Sequence, residues 1–210
     1  MPQKEIVPFN ADESKKFLAA VEGDRLEALF VVAVAVGLRK GEVLGLYWSD
    51  IDLKLEELRI RRSLQRVSGQ LQFVPPKTDK SRRVLGLPAF VVRALHQHRS
   101  RQLEERRRAG GSWQESDLVF TTPTGTPLDG PGVTRRFHKI LDSNELRRVR
   151  FHDLRHTSAS LLLLGGVDRR TIMENLGHSQ ISVTSNVYTH VVPELQREAA
   201  RKMDDLLSRD

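Results

Sequence analysis

The segment from Arg25 to Val36 constrains the fold most, because it is predicted to be a helix with apolar residues on almost every side. Every residue between Ala28 and Val36 is apolar. A helix that is hydrophobic all round belongs in the interior of a protein. The apolar run is far shorter than the ~20 residues that a membrane-spanning helix needs. The sequence therefore predicts a soluble fold built around this helix, which ends at Gly37.

The rest of the pattern predicts an α+β fold that is mostly helical, with a small three-stranded antiparallel sheet. Strands are indicated where apolar and polar residues alternate, at Glu57–Leu64, Gln70–Val74 and Arg82–Leu87. Further helices are indicated by apolar periodicity and by capping residues. They are Ala11–Val21 with Asn10 or Asp12 as its cap, a short helix opened by Gly41 and Glu42, Pro88–Arg108, Val133–Leu141, Ser158–Leu164, the segment between Asp168 and Gly177, and Pro193–Leu207.

Composition narrows the class of partner. The 210 residues include 34 Lys and Arg against 27 Asp and Glu, which gives a net charge of +7 and an isoelectric point near 10.0. This balance favours a polyanionic partner, although ribosomal, membrane-surface and heparin-binding proteins share it. The absence of cysteine excludes disulfides and thiolate metal sites. No signal peptide is evident at the start of the sequence, so we expect a cytoplasmic protein without membrane attachment.

Residues able to do chemistry concentrate between Phe151 and His190, in the motifs H-D-L-R-H-T, L-G-H-S and N-V-Y-T-H. His152 and Arg155 are three residues apart, a spacing that places both on one face of a helix. His178 directly follows the glycine that ends a short helix, and Tyr188 comes ten residues later. Each residue alone has an ordinary structural explanation. Together they present a cation, two imidazoles and a phenol from neighbouring helices and turns.

Two further basic residues lie outside that stretch. Arg39, in G-L-R-K-G-E, directly follows the buried helix, so a rigid core would hold its backbone; complementing the helix dipole is the simpler explanation. Lys77, in P-P-K-T-D-K-S-R-R, falls at a hairpin edge between the last two predicted strands. Most lysines in such a position are simply solvated.

The order of these motifs resembles that of the tyrosine recombinases, the phage-integrase family, over essentially the whole chain from Gly37 onward. The resemblance implies six catalytic residues: Arg39, Lys77, His152, Arg155, His178 and the nucleophile Tyr188. Lys77 matches the family's K-T-x-x-S-x-R motif, and Lys80 is its alternative within the same turn. Glu42 falls where the family carries an acid that braces the site. Leu38 departs from the methionine of many relatives.

The resemblance also implies the organisation and the chemistry. Residues 1–10 would be a linker or lead-in, and residues 11–210 the catalytic domain. Tyr188 would attack a DNA phosphodiester and form a 3′-phosphotyrosyl link, which a 5′-hydroxyl then resolves in site-specific recombination. No cofactor and no metal are expected. Double-stranded DNA would be the partner, bound by a homotetramer in the bacterial or phage-infected nucleoid, with a possible accessory directionality protein.

Three alternatives stay open from the residues. A type IB topoisomerase would use related chemistry to relax DNA, and a DNA-binding module would carry a decayed site. A metalloprotease is the third, because H-D-L-R-H lies one residue away from the zinc motif H-E-x-x-H. In that case His152 and His156 would bind the metal and Asp153 would replace the catalytic glutamate. No third ligand is evident in the sequence, so His156 is interpreted as structural.

Overall fold

A computed structural model describes residues 7–76 and 82–177. Its α-helices are α1 (Ala11–Ala20), α2 (Glu27–Val36), α3 (Lys40–Leu44), α4 (Ala89–Ala109), α5 (Gly130–Ser143), α6 (Asp153–Leu164) and α7 (Arg169–Leu176). Its strands are β1 (Ile51–Asp52), β2 (Glu57–Ile60), β3 (Ser63–Val67), β4 (Gln70–Val74) and β5 (Arg83–Gly86). The prediction of a mostly helical α+β fold with a small antiparallel sheet is confirmed. The predicted turn at 78–81 and helix Pro193–Leu207 lie outside the described residues.

Helix α2 lies at the centre of the molecule, as its composition predicts. Its residues are buried almost throughout, and it packs against both α4 and α6. The hydroxyl of Ser158 on α6 donates a hydrogen bond of 3.3 Å to the carbonyl of Ala35. No helix in the described part of the chain combines the length and apolarity needed to cross a membrane.

An aromatic cluster joins the first residues of the chain to α6. Phe9, Phe17, Phe30, Phe137 and Phe151 are all buried, and their ring centroids lie 5.6–6.3 Å apart where they contact each other. They come from the segment before α1, from α1, α2 and α5, and from the turn before α6. The start of α6 is therefore held against α2 by apolar packing.

The lead-in predicted for residues 1–10 enters this core before residue 11. The ring of Phe9 is buried, and the backbone N–H of Phe9 donates a hydrogen bond of 3.0 Å to the hydroxyl of Thr157 on α6. Asn10 is the N-cap of α1, and it exchanges hydrogen bonds with Glu13 in a capping box. Of the two caps that the sequence offers, the fold thus uses Asn10.

The sheet is three-stranded and antiparallel, but its strands differ from those predicted. It has the order β1-β2-β5, while β3 and β4 form a separate hairpin. The predicted strand Glu57–Leu64 is interrupted at Arg61 and Arg62, which both pair with the buried carboxylate of Asp50. The alternation of apolar and polar residues does not reveal this break, because the break depends on a charged residue elsewhere in the chain. Strand β1 was not predicted, since two residues carry no periodicity.

The aromatic cluster generates a stability prediction. Phe137→Ala removes a fully buried ring that contacts three other phenylalanines, and we expect it to lower the free energy of unfolding by about 3–5 kcal/mol. Phe90→Ala is the matched control, because Phe90 is 40% exposed near the start of α4 and should cost no more than about 0.5 kcal/mol. Urea denaturation measures both, and equal losses would contradict the packing described.

Candidate active site

Arg39 is held by the turn that ends α2 and by the first turn of α3. Gly37 adopts a left-handed conformation, with φ +68°, and stops α2. Arg39 then forms the N-cap of α3. Its backbone N–H donates to Glu42 Oε2 at 2.9 Å, and its Nη1 donates to Glu42 Oε1 at 2.8 Å. The guanidinium of Arg39 is thus fixed on one side while its side chain stays 40% exposed.

Arg155 is buried in the first turn of α6, and it is only 2% exposed. Its Nη1 donates to the carbonyl of Gly37 at 2.7 Å, and its Nη2 donates to the carbonyl of Leu176. Burial, together with the nearby positive charge of Arg39, lowers the pKa of Arg155 to about 9. The side chain still carries its charge at neutral pH.

The last turn of α7 collects three arginines. The carbonyls of three consecutive residues each accept a hydrogen bond from a different guanidinium: Asn175 from Arg83, Leu176 from Arg155 and Gly177 from Arg39. The C-terminal end of a helix carries partial negative charge, which cations complement. Arg39 and Arg155 are therefore brought together at Leu176 and Gly177, the two residues that precede His178 in the chain.

Glu42 and Arg83 form a buried ion pair beside that helix end. Their side chains are 6% and 7% exposed, and Arg83 Nη2 lies 3.0 Å from Glu42 Oε2. Burial alone would raise the pKa of Glu42, but hydrogen bonds and positive charge from Arg83 and Arg39 lower it on balance. Glu42 thus remains a carboxylate that contacts two arginines, which fits the bracing role inferred from the resemblance.

Sequence reasoning did not single out Arg83. It ends the K-T-x-x-S-x-R motif, and it shares one face of β5 with the buried Leu85. An arginine at a core-facing position of a strand is unusual unless a partner neutralises it. An arginine at a core-facing strand position, at the end of this motif, is the sequence feature that could have identified Arg83.

His152 and His156 lie together at the start of α6. His152 is the N-cap and is exposed, whereas His156 is buried. Their rings meet edge to face with centroids 5.4 Å apart. Partial desolvation by the surrounding protein lowers the pKa of both rings, and for His152 the positive charge of Arg155 acts in the same direction. Both are neutral at neutral pH, so His152 can accept a proton.

The described residues include three of the six predicted catalytic residues: Arg39, His152 and Arg155. The other three, Lys77, His178 and Tyr188, lie outside the described residues, as does Lys80. Residues 7–76 and 82–177 contain no group of three or more metal-ligating side chains, so a third ligand for His152 and His156 is not found among them. Two anchored guanidiniums and a neutral imidazole suit recognition of a phosphate group.

The position of Gly37 generates a second prediction. A Cβ at this residue would lie 2.7 Å from Leu176 Cδ2 and 2.9 Å from Ser158 Oγ. Gly23 has a similar φ of +76° but no atom within 4 Å of such a Cβ. Both alanine variants share the strain of the left-handed region. We therefore expect Gly37→Ala to lower the free energy of unfolding by about 1–3 kcal/mol more than Gly23→Ala does, because only Gly37→Ala overpacks its surroundings. Denaturant unfolding of the two variants checks this, and matching losses would show that the approach of α7 is loose.

Several known proteins are similar to this chain in sequence and in fold. Residues 8–194 match the Phage integrase family. A protein of Caldanaerobacter subterraneus subsp. tengcongensis named tyrosine recombinase XerC-like is 39% identical, over 97% of this chain and 55% of its own length. The crystal structure of XerA recombinase superposes with a TM-score of 0.72 at 26% identity, over 100% of this chain and 66% of that one.

A second solved structure is that of XerH site-specific recombinase bound to its palindromic difH substrate. It superposes with a TM-score of 0.65 at 26% identity, over 94% of this chain and 53% of that one. The chain spans about half the length of the curated relatives it matches. The family match extends over most of the sequence and includes the motifs around Arg39 and Arg155. The chain belongs to the phage integrase family.

Proposed function

We propose that this chain is the catalytic part of a site-specific recombinase that breaks and rejoins DNA through a 3′-phosphotyrosyl intermediate. The observation that carries the proposal is the anchoring of Arg39 and Arg155 on one helix end, directly before His178. The family match and the names of the relatives support it. We assign the catalytic domain to residues 11–210, with residues 1–10 as its lead-in.

The two arginines would stabilise the scissile phosphate. A phosphodiester carries one negative charge over two nonbridging oxygens, and that charge spreads in the pentavalent transition state. A guanidinium matches such oxygens with a planar fork of donors. Because Arg39 and Arg155 are already held by Glu42, Gly37 and the end of α7, little rearrangement is needed when the charge develops. Each pre-aimed donor is worth roughly 10²–10³-fold in rate.

The other four residues would handle the bond exchange. The phenolic oxygen of Tyr188 attacks phosphorus, and the bond to the 5′-oxygen breaks. His152 takes or orients the phenolic proton, which its neutral ring allows. Lys77 gives a proton to the departing 5′-oxygen, and His178 donates to a nonbridging oxygen. A phenol with a pKa of about 10 leaves readily, so a 5′-hydroxyl from a second strand can reverse the step without ATP.

The proposed function also implies a binding partner and an oligomeric state. We infer that double-stranded DNA binds the chain, supported by the net charge of +7 and by the substrate-bound XerH relative. Exchange between two sites needs several catalytic chains, so we propose a homotetramer on DNA in the cytoplasm, at the nucleoid. An accessory protein that controls direction would be a further partner.

The nucleophile is tested with the chain's two tyrosines. Tyr188→Phe should bind DNA as the parent does but form no covalent protein–DNA band on a denaturing gel. Tyr47→Phe is the matched control, because Tyr47 packs under Arg62, with Cζ 3.8 Å from the ring centroid, and against Phe73; this variant keeps the ring and should still form the adduct. Peptide mass mapping locates the modified residue.

Three outcomes, two from this assay and one from a plasmid relaxation assay, would contradict the proposal. An adduct on Tyr47 would overturn the choice of nucleophile. A parent protein that binds DNA without forming any adduct would favour the DNA-binding module. Relaxation of a plasmid that lacks any target site would favour the topoisomerase.

The role of Lys77 is tested by changing the leaving group. Lys77→Ala should cleave ordinary DNA about 10²–10⁴-fold more slowly, because the 5′-alkoxide leaves poorly without a proton. Sulfur at the bridging 5′ position should restore the rate, since a thiolate leaves without one. Arg39→Ala should not be restored, because Arg39 acts on nonbridging oxygens. Restoration of Lys80→Ala instead of Lys77→Ala would assign the general acid to Lys80.

A further inference from the structure

Arg83 occupies a position in β5 where the strand pattern calls for an apolar residue. Along this strand Val84 is 55% exposed while Leu85 is 4% exposed, so Arg83 and Leu85 face inward. The side chain of Arg83 is only 7% exposed. A buried charge is costly unless it is paired and hydrogen-bonded, so the partners of Arg83 explain its presence.

Those partners are parts of the candidate active site. Arg83 Nη2 donates to Glu42 Oε2 at 3.0 Å, and Arg83 Nε donates to the carbonyl of Asn175 at 2.6 Å. Gly177 packs directly on the guanidinium, because a Cβ there would lie 3.0 Å from Arg83 Nη1. Arg83 thus fills the space between the first turn of α3 and the last turn of α7.

Glu42 connects Arg83 to Arg39, because it accepts hydrogen bonds from both. One carboxylate oxygen of Glu42 accepts from Arg39 Nη1, and the other accepts from the backbone N–H of Arg39 and from Arg83 Nη2. The charged groups that act on this carboxylate are Arg39 from α3, Arg83 from β5 and Arg155 from α6. Of the three, only Arg83 has no role in the chemistry proposed above.

We propose that Arg83 is a positioning residue for strand cleavage, which pairs with Glu42 and bonds the end of α7 so that Arg39 is held for contact with the phosphate. This inference rests on the recombinase function proposed above. Strand β5 does not need Arg83 to form, because Leu85 pairs with Leu58 in the sheet and both are buried. Removal of the guanidinium should therefore disturb the site more than the fold.

The test compares Arg83→Met with Arg82→Met. Both remove one positive charge from neighbouring residues, but Arg82 is exposed. At saturating DNA, Arg83→Met should form the covalent adduct about 10²-fold more slowly, the effect expected of a small misplacement of a catalytic group. DNA affinity should change much less than the rate. Arg82→Met should keep the parent's rate at saturating DNA.

The pH dependence separates positioning from a general loss of stability. Without Arg83, burial would raise the pKa of Glu42, so its carboxylate would be protonated and would release Arg39 as the pH falls. The rate of Arg83→Met should therefore decline on the acid side at a higher pH than the rate of the parent. Arg83→Met combined with Glu42→Gln should lose this displacement. Arg83→Lys keeps the positive charge but loses the planar set of guanidinium donors. Its rate should be reduced, but the decline of that rate at low pH should occur close to the pH at which the parent's rate declines.

An NMR titration of the glutamate carboxyl carbons gives a readout that needs no DNA. We expect the Glu42 resonance to titrate at a higher pH in Arg83→Met than in the parent, and unchanged in Arg82→Met. A parent rate and a parent acid limb in Arg83→Met would overturn the inference. If Arg83→Met does not fold, a parent rate in Arg83→Lys would overturn it equally. A parent chain that forms no adduct would instead be a failure of the proposed recombinase function.

Discussion

The end of α7 is the point on which the candidate site depends. Three consecutive carbonyls there accept hydrogen bonds from three arginines that belong to α3, α6 and β5. The negative end of the helix dipole and one buried carboxylate, Glu42, offset this concentration of positive charge. The arrangement is stable only while all these elements keep their relative positions. It therefore links the geometry of the site to the packing of the whole domain.

That packing is organised by α2. Because α2 is apolar on every side, it is covered by α4 and α6, and its last turn delivers the carbonyl of Gly37 to the buried guanidinium of Arg155. Burying an isolated cation costs several kcal/mol. Arg155 avoids much of that cost by donating to backbone carbonyls from two different elements. A rigid apolar core thus supports a polar site that would otherwise be costly to assemble.

Local signals predicted most of the helical framework. Asn10 and Asp168 cap their helices through side-chain oxygens, and Gly37 and Gly177 end theirs in the left-handed conformation. Such devices act between residues a few positions apart, so they can be recognised in sequence. The strand break at Arg61 and Arg62 could not be recognised in this way, because Asp50, which binds both, is reached only through the fold. The exposure of His152 beside the buried His156 was also decided by the depth of α6 in the core.

The sequence by itself determined the order of the motifs, the family that they indicate and the residue types available for phosphate chemistry. These features lie in short segments, so the residues and the spacing between them can be recognised directly in the sequence. Only the tertiary structure decided which charges share a site. Arg83 lies 41 residues from Glu42 and 92 from Asn175, and no local pattern relates them. Charge pairing is set by which elements meet in space, and this determines whether an arginine is an exposed cation or part of the site.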